Sequence, residues 1–198
     1  MSRLRLENIQ RNGLMPVTLT IEPGECVCLS GSSSAGKTLL LRVIADLDPH
    51  EGEVYLDEIA CQSMNAPQWR GQVGMLPAES FWWSERVGDH FGQIDITQWH
   101  QLMFEPQVAD WAVSRLSTGE RQRLALLRLL SGRPKALLLD EPTASLDPDN
   151  VARVEQLIED YRAAHKAPVL WVSHDRQQIS RVSNRHFRII SGRVEAVS

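Results

Sequence analysis

What the chain has little of narrows its class first. Its three cysteines, Cys26, Cys28 and Cys61, are an odd number without paired zinc-ligand spacing, so a disulfide scaffold is not indicated and reduced thiols in a cytosolic chain are expected. No stretch reaches the roughly 18 apolar residues that a spanning helix needs, and the opening MSRLRLENIQ has no apolar core behind its basic residues. Any membrane role therefore falls to a partner chain. Positive charge is not in excess: 21 Lys and Arg against 25 Asp and Glu give a net charge of −4, spread without like-charge blocks, so no nucleic-acid partner is expected. Repeats and low-complexity tracts are absent. At 198 residues and 42% hydrophobic content, the chain suffices for one sizeable core and is too short for two ordinary domains.

What is there alternates in period. Leu4, Leu6, Val17, Leu19 and Ile21, punctuated by Pro16 and Pro23, read as short strands and turns. ECVCLS (25–30) is a buried strand that runs into a glycine-bracketed loop, and TLLLRVIADL then carries a helical run ended by Asp48-Pro49. EGEVYLDEIA and QVGMLP suggest further strands. KALLLD (135–140) and APVLWVS (167–173) are apolar runs typical of strands covered on both faces, and Val151, Val154, Leu157, Ile158 and Tyr161 recur at helical spacing between them. Strands alternating with helices predict a largely parallel α/β sheet. Residues 79–115 break the pattern with seven aromatics, Phe81, Trp82, Trp83, Phe91, Trp99, Phe104 and Trp111, and read as a small helical insertion.

Gly31-Ser32-Ser33-Ser34-Ala35-Gly36-Lys37-Thr38 fits the Walker A pattern, between a predicted strand and a predicted helix. Small residues let backbone N–H groups wrap phosphates, and the helix that follows points its positive end at the same anion. Lys37 would reach the β- and γ-phosphates and the Thr38 hydroxyl would bind Mg²⁺. Asp140 ends an apolar strand, where a carboxylate can hold the magnesium or its water, and Glu141 follows it, placed to polarise an attacking water. A Ser-rich turn and a capped Asp-Glu-Pro turn are the plain structural readings of these fragments; their joint occurrence favours the nucleotide reading.

Leu116-Ser117-Thr118-Gly119-Glu120, followed by Arg121-Gln122-Arg123 and a leucine-rich helix, resembles the ABC signature usually written LSGGQ. Ser145-Leu146-Asp147 resembles the D-loop, and Trp171-Val172-Ser173-His174-Asp175 the switch-histidine segment. The resemblance to ATP-binding subunits of ABC transporters covers nearly the whole chain. It implies a P-loop NTPase (RecA-like) α/β core with a small N-terminal antiparallel β part and a compact helical subdomain. The implied division is one domain over 1–198, with a core of about 1–78 and 117–198 and an insertion of about 79–116. It implies ATP and Mg²⁺ as cofactors, with catalysis by Lys37, Glu141 and His174. It also implies a head-to-tail pair in which Ser117, Thr118, Gly119 and Glu120 of one copy meet the ATP of the other. The expected partners are a second copy and a transmembrane permease on a separate chain, which would hold the subunit at the inner face of the cell membrane. Ser117 and Gly119 also admit a plain reading as the capped start of a helix. Shortness and the VLWVSHD segment look most like small exporter ATPases, including the iron-export type. Alternatives are a soluble ABC ATPase without a transport role, or an ATP-gated binding module.

The departures from the family pattern are specific. No aromatic stands in QRNGLM, where one usually stacks on adenine, which leaves Arg11, Leu14 or Met15 to cover the base. Ala78 replaces the glutamine of the loop after the third core strand, leaving Glu79 or water in its role. Thr118 and Glu120 replace the signature's second-position glycine and its glutamine. Trp82 and Trp83 are adjacent, so at least one is expected to be exposed or near a cleft.

Overall fold

A computed structural model describes residues 2–197. Two sheets share the chain. The first strands, β1 (Leu4–Arg11) and β2 (Leu14–Ile21), pair antiparallel, and β4 (Glu51–Leu56) and the short β5 (Ile59–Ala60) complete a four-stranded sheet in the order β2-β1-β4-β5. The second sheet has six strands. Its members are β3 (Cys26–Gly31), β6 (Val73–Leu76), β7 (Ala136–Asp140), β8 (Val169–Val172), β9 (Arg185–Ile190) and β10 (Arg193–Ala196), in the order β10-β9-β3-β8-β7-β6. All its pairings are parallel except the hairpin of β9 with β10.

Side-chain alternation explains why the central strands read as unbroken apolar runs. Val27, Leu29, Leu138 and Leu170 point to one face, where they join Leu4 and Leu6 of the antiparallel sheet and Leu40, Leu41 and Ile44 of helix α1 (Lys37–Ile44). Cys26, Cys28, Leu137, Leu139, Val169 and Trp171 point to the other face. There they meet Leu124 and Leu127 of α4 (Thr118–Ser131) and Val154, Leu157 and Tyr161 of α5 (Pro148–His165). The cysteines are three buried thiols, and no disulfide joins them.

Three local outcomes differ from the sequence reading. Helix α1 ends at Ile44, four residues before Asp48-Pro49, because Asp46 takes a left-handed conformation (φ +56) that stops the helical ladder. A helix that the pattern did not signal, α2 (Ala66–Gln72), is capped by Asn65 and buries Trp69, whose Nε1 donates to Ile44 O at 2.9 Å. Residues 77–117 are helical only in pieces: α3 (Ile96–Gln101), capped by Asp95, and three 3-10 turns at Gly88–His90, Pro106–Asp110 and Val113–Arg115. Gly88, Gly92 and Pro106 interrupt any longer helix there, and rings take over the packing, with Phe91 on Trp99 at 5.1 Å and Trp99 near Phe104 at 6.3 Å.

Candidate functional site

The C-terminal ends of the parallel strands carry the chemistry-bearing residues, as the topology of an open α/β sheet favours. The phosphate loop joins β3 to α1. At Gly31 a Cβ would stand 2.7 Å from the Ile189 carbonyl oxygen, so only glycine lets the loop cross β9 at this distance. Gly36, at φ +104, turns the chain into α1 as its N-cap. Lys37 is buried and its Nζ donates to Gly31 O at 2.9 Å and Ser32 O at 3.0 Å, closing the loop on itself. Ser33, Ser34 and Ala35 form the bend between them, with Ala35 N donating to Ser32 O.

Thr38 and Asp140, 102 residues apart, meet directly: Thr38 Oγ1 donates to Asp140 Oδ2 at 2.7 Å. Burial pushes the Asp140 carboxyl up, the Thr38 hydrogen bond pulls it back, and the Glu141 charge adds to the rise. Hydroxyl and carboxylate oxygens suit a hard divalent cation, and only two are supplied. Among the described residues no group of three His, Cys, Asp or Glu forms a metal cluster, so such an ion would take its other ligands from phosphates and water.

Glu141 follows at φ +47, outside the strand, with its N–H donating to Val172 O at 3.1 Å. Because Asp140 and Val172 are in register on adjacent strands, the next residues of both chains emerge together. His174 Nδ1 then lies 3.3 Å from Glu141 Oε2, with the imidazole largely exposed. Ser173 steadies the turn, its Oγ accepting from Asp175 N at 3.1 Å.

Ser117, Thr118, Gly119 and Glu120 stand elsewhere, at the start of α4. Ser117 is the N-cap, and a capping box links it to Glu120. Both Ser117 N and Ser117 Oγ donate to Glu120 Oε2 at 2.8 Å, and Glu120 N donates to Ser117 Oγ at 3.3 Å. A Cβ on Gly119 would meet Leu146 at 3.2 Å and Ser145 O at 3.3 Å, so this turn packs on the segment after Glu141. Among the described residues, no hydrogen bond or ion pair joins residues 117–120 to the phosphate loop, Glu141 or His174.

The family profile described as ABC transporter matches residues 14–144. The chain belongs to the ABC transporter ATP-binding family. It is accordingly an ABC ATPase domain, which binds and hydrolyses ATP. The phosphate import ATP-binding protein PstB of Aeropyrum pernix is 30% identical, over 91% of this chain and 82% of PstB. Methionine import ATP-binding protein MetN 1 of Pseudomonas putida is 34% identical over 87% of this chain, and the aligned part spans 57% of MetN 1. The dimeric post-hydrolysis structure of the ATP-binding cassette MJ0796, bound to ADP and Pi, has the same fold at 24% identity, with a TM-score of 0.83 over 98% of this chain and 99% of that one. Both curated relatives are named for import, so the likeness to exporter ATPases of the iron-export type is not what they carry.

Several contacts of this ABC domain escaped the motif reading. Gln122 is buried on α4, with its amide 3.5 Å from the Pro77 carbonyl, beside exposed Ala78. Its place two residues after the signature was the only sequence signal. His90 ties the aromatic segment together: its Nε2 accepts from Trp83 N and Ser84 N, both at 3.0 Å, and its Nδ1 contacts Arg86 O at 2.9 Å. Trp82 and Trp83 sit in irregular chain instead of on a helix. Both rings lie by His90 and Arg128, with Trp82 half-buried, Trp83 62% exposed and Phe81 75% exposed.

Proposed function

We propose that two copies of this chain pair head to tail, bind ATP with Mg²⁺ in the interface, and use its hydrolysis to drive a permease carried on another chain. The observation that carries this reading is the separation of the two half-sites. The Ser117–Glu120 turn has the oriented donors of a helix start but makes no polar contact with its own phosphate loop, and a phosphate carried by a second copy would meet those donors.

The residues act as follows. Lys37 exchanges its bonds to Gly31 O and Ser32 O for phosphate oxygens, a change from neutral to charged acceptors that favours the bound state. Gly31 through Gly36 supply backbone N–H groups to the phosphates. Thr38 and Asp140 would hold the metal ion, which supplies charge neutralisation for the transferring phosphoryl group. Glu141 accepts a proton from water, the water oxygen forms the new bond to γ-phosphorus, and the bond to the ADP oxygen breaks with its electron pair left on ADP. His174, within 3.3 Å of Glu141, orients that base and faces the γ-phosphate. The N-terminal end of α4 from the second copy completes the donor set around the developing charge.

No helix among the described residues is long and apolar enough to span a membrane, so membrane placement would come through the permease. Exposed Trp83 borders a cleft of about 260 Å³ lined also by Pro77, Arg128 and Leu129, and Phe81, two residues before it, is exposed as well; large exposed rings by such a cleft suit a partner's helix. Co-purification with a membrane protein together with ATP-dependent phosphate release tests the whole reading. One alternative keeps an observation in its favour. Ala78 in place of glutamine, with Glu120 held in its capping box, suits an ATP-gated binding module with weak turnover, which would form the ATP-dependent pair while releasing phosphate slowly.

A further inference from the structure

Beyond the nucleotide site, a cleft of about 790 Å³ opens between the β9–β3 part of the sheet and helix α6 (Arg176–Val182). Its size is that of a small-molecule pocket. Its walls carry Arg176 and Arg188, with His174 and His186, and no Asp or Glu lines it. On the same two elements, by contrast, Arg181 of α6 is paired with Glu155 and Arg185 of β9 with Glu25. Among the described residues, Arg176 and Arg188 have no carboxylate partner. Glu195 stands opposite Arg188 in the β9–β10 ladder yet is exposed and makes no ion pair with it, and Asp175 spends its carboxylate capping α6 through Gln177 N.

The position of Arg188 explains why this matters. It is half-buried on an inner strand, on the face that also presents Ser30 and His186, and it lines the cleft from the sheet side. His186 Nε2 is bonded to Ser30 Oγ at 2.7 Å, and burial with the neighbouring Arg188 charge holds its pKa down, so it adds a polar neutral wall. Ile179, one turn from Arg176 on α6, and Val197 add apolar lining. An oxyanion with an organic portion answers both halves of this lining.

We propose that this cleft binds a small organic phosphate, its phosphate on Arg188 and Arg176 and its carbon portion against Ile179 and Val197, next to the start of the phosphate loop. This is a second ligand site that adjoins the ATP site proposed above and shares Gly31, Ser32 and His174 with it. Since Gly31, Ser32 and His174 belong to its walls, occupancy would bear on the position of the histidine beside Glu141.

The test is calorimetric titration of the whole chain with its phosphate loop saturated by Mg²⁺ and a non-hydrolysable ATP analogue, which fills the γ-phosphate position. Glycerol 3-phosphate, inorganic phosphate and acetate are the probes. Glycerol 3-phosphate should bind at one site, and Arg188→Ser should weaken it by at least about tenfold, with Arg188→Lys retaining most of the affinity and Arg176→Ser also weakening it. Inorganic phosphate should bind more weakly than the ester, and acetate more weakly still. Equal binding of the ester by wild type, Arg188→Ser and Arg176→Ser, or no binding at all, overturns the proposal. Inorganic phosphate binding as tightly as the ester overturns the organic class. Thermal melts identify a variant that has not folded, and exposed Arg176 then decides the matter. Affinity for the ATP analogue, measured on the same samples, separates failure of this site from failure of the nucleotide reading.

Discussion

Replacing Glu141 with glutamine changes the chemistry of one atom while keeping the scaffold that holds it. The backbone N–H still donates to Val172 O at 3.1 Å, and the side chain keeps its place beside His174, whose Nδ1 lies 3.3 Å from Oε2 in the glutamate. What disappears is a proton acceptor and a negative charge. A positioned general base contributes about 10²- to 10⁴-fold, equivalent to roughly 3–5 kcal/mol of barrier, so turnover should fall by two to four decades. Nucleotide affinity should hold or rise. A carboxylate about 5 Å from a phosphate charge, at an effective dielectric of about 20, is opposed by roughly 3 kcal/mol, and solvent around a side chain 28% exposed leaves only part of that. The Glu141 charge also helps push the Asp140 carboxyl up, so its removal makes Asp140 a better metal ligand. Phosphate release gives turnover, a fluorescent ATP analogue gives affinity, and light scattering follows the pairing that blocked hydrolysis should trap. A Glu141→Gln protein that fails to bind ATP, or releases phosphate within about threefold of wild type, refutes the division of roles. One that stays monomeric at high ATP and protein concentration refutes the head-to-tail pair.

Lys37→Ala should instead lose nucleotide affinity, since the cation bridging Gly31 O and Ser32 O is gone; unchanged binding of the fluorescent analogue would remove Lys37 from the phosphate site. Ser117→Arg should abolish ATP-dependent pairing while costing the isolated chain about 1 kcal/mol for the lost cap, and pairs still seen by light scattering would contradict the role of this turn. Trp83→Ala should lower thermal stability by about 1 kcal/mol, the worth of an exposed ring over Arg128, yet weaken a pull-down with the permease by at least about tenfold; undiminished capture returns the ring to a packing role. Asp48 is held down to about 2 by the hydrogen-bonded Arg42 guanidinium, with Arg11 adding to the effect. A folded value below the unfolded value of about 3.9 means stability present above that pH and lost as pH falls toward 2. Asp48→Asn should therefore flatten the stability curve between about pH 4 and 2; urea titrations that stay as steep in the variant would assign the loss to other carboxylates.

The parts of the fold that could be read from sequence are those where burial is two-sided or alternation is strict. ECVCLS, KALLLD and APVLWVS announce buried strands because Val27 and Cys28, or Leu137 and Leu138, serve opposite cores. β9 escapes that test: Phe187 and Ile189 face the core, but His186 and Arg188 alternate with them toward an open cleft, so the run never looks apolar. α2 escapes because seven residues with one buried side chain, Trp69, give no periodicity to detect. Contiguous motifs were legible in the site for the same reason that the loop works, since backbone N–H groups wrapped around an anion require neighbouring residues. Contacts such as Thr38 with Asp140 were anticipated only through the chemistry of a shared metal ion, and the His90 tie to Trp83 and Ser84 had no chemistry to announce it.

The start of α4 shows why a capping motif and a ligand site need not be rival readings. A cap satisfies orphan helix donors with an internal acceptor, and an anion site satisfies them with an external one. In this chain Glu120 is the internal acceptor, taking both the N–H and the hydroxyl of Ser117. An arriving γ-phosphate must therefore share or displace a carboxylate that already holds two donors and carries the same sign of charge. The neutral amide of a glutamine would compete less and repel nothing. In the proposed pair, the cost of closing would thus be set at position 120 as well as at the phosphate loop. In the proposed head-to-tail pair, the empty pair should then open readily, and ATP, together with a permease holding two copies side by side, would have to supply what the signature turn withholds.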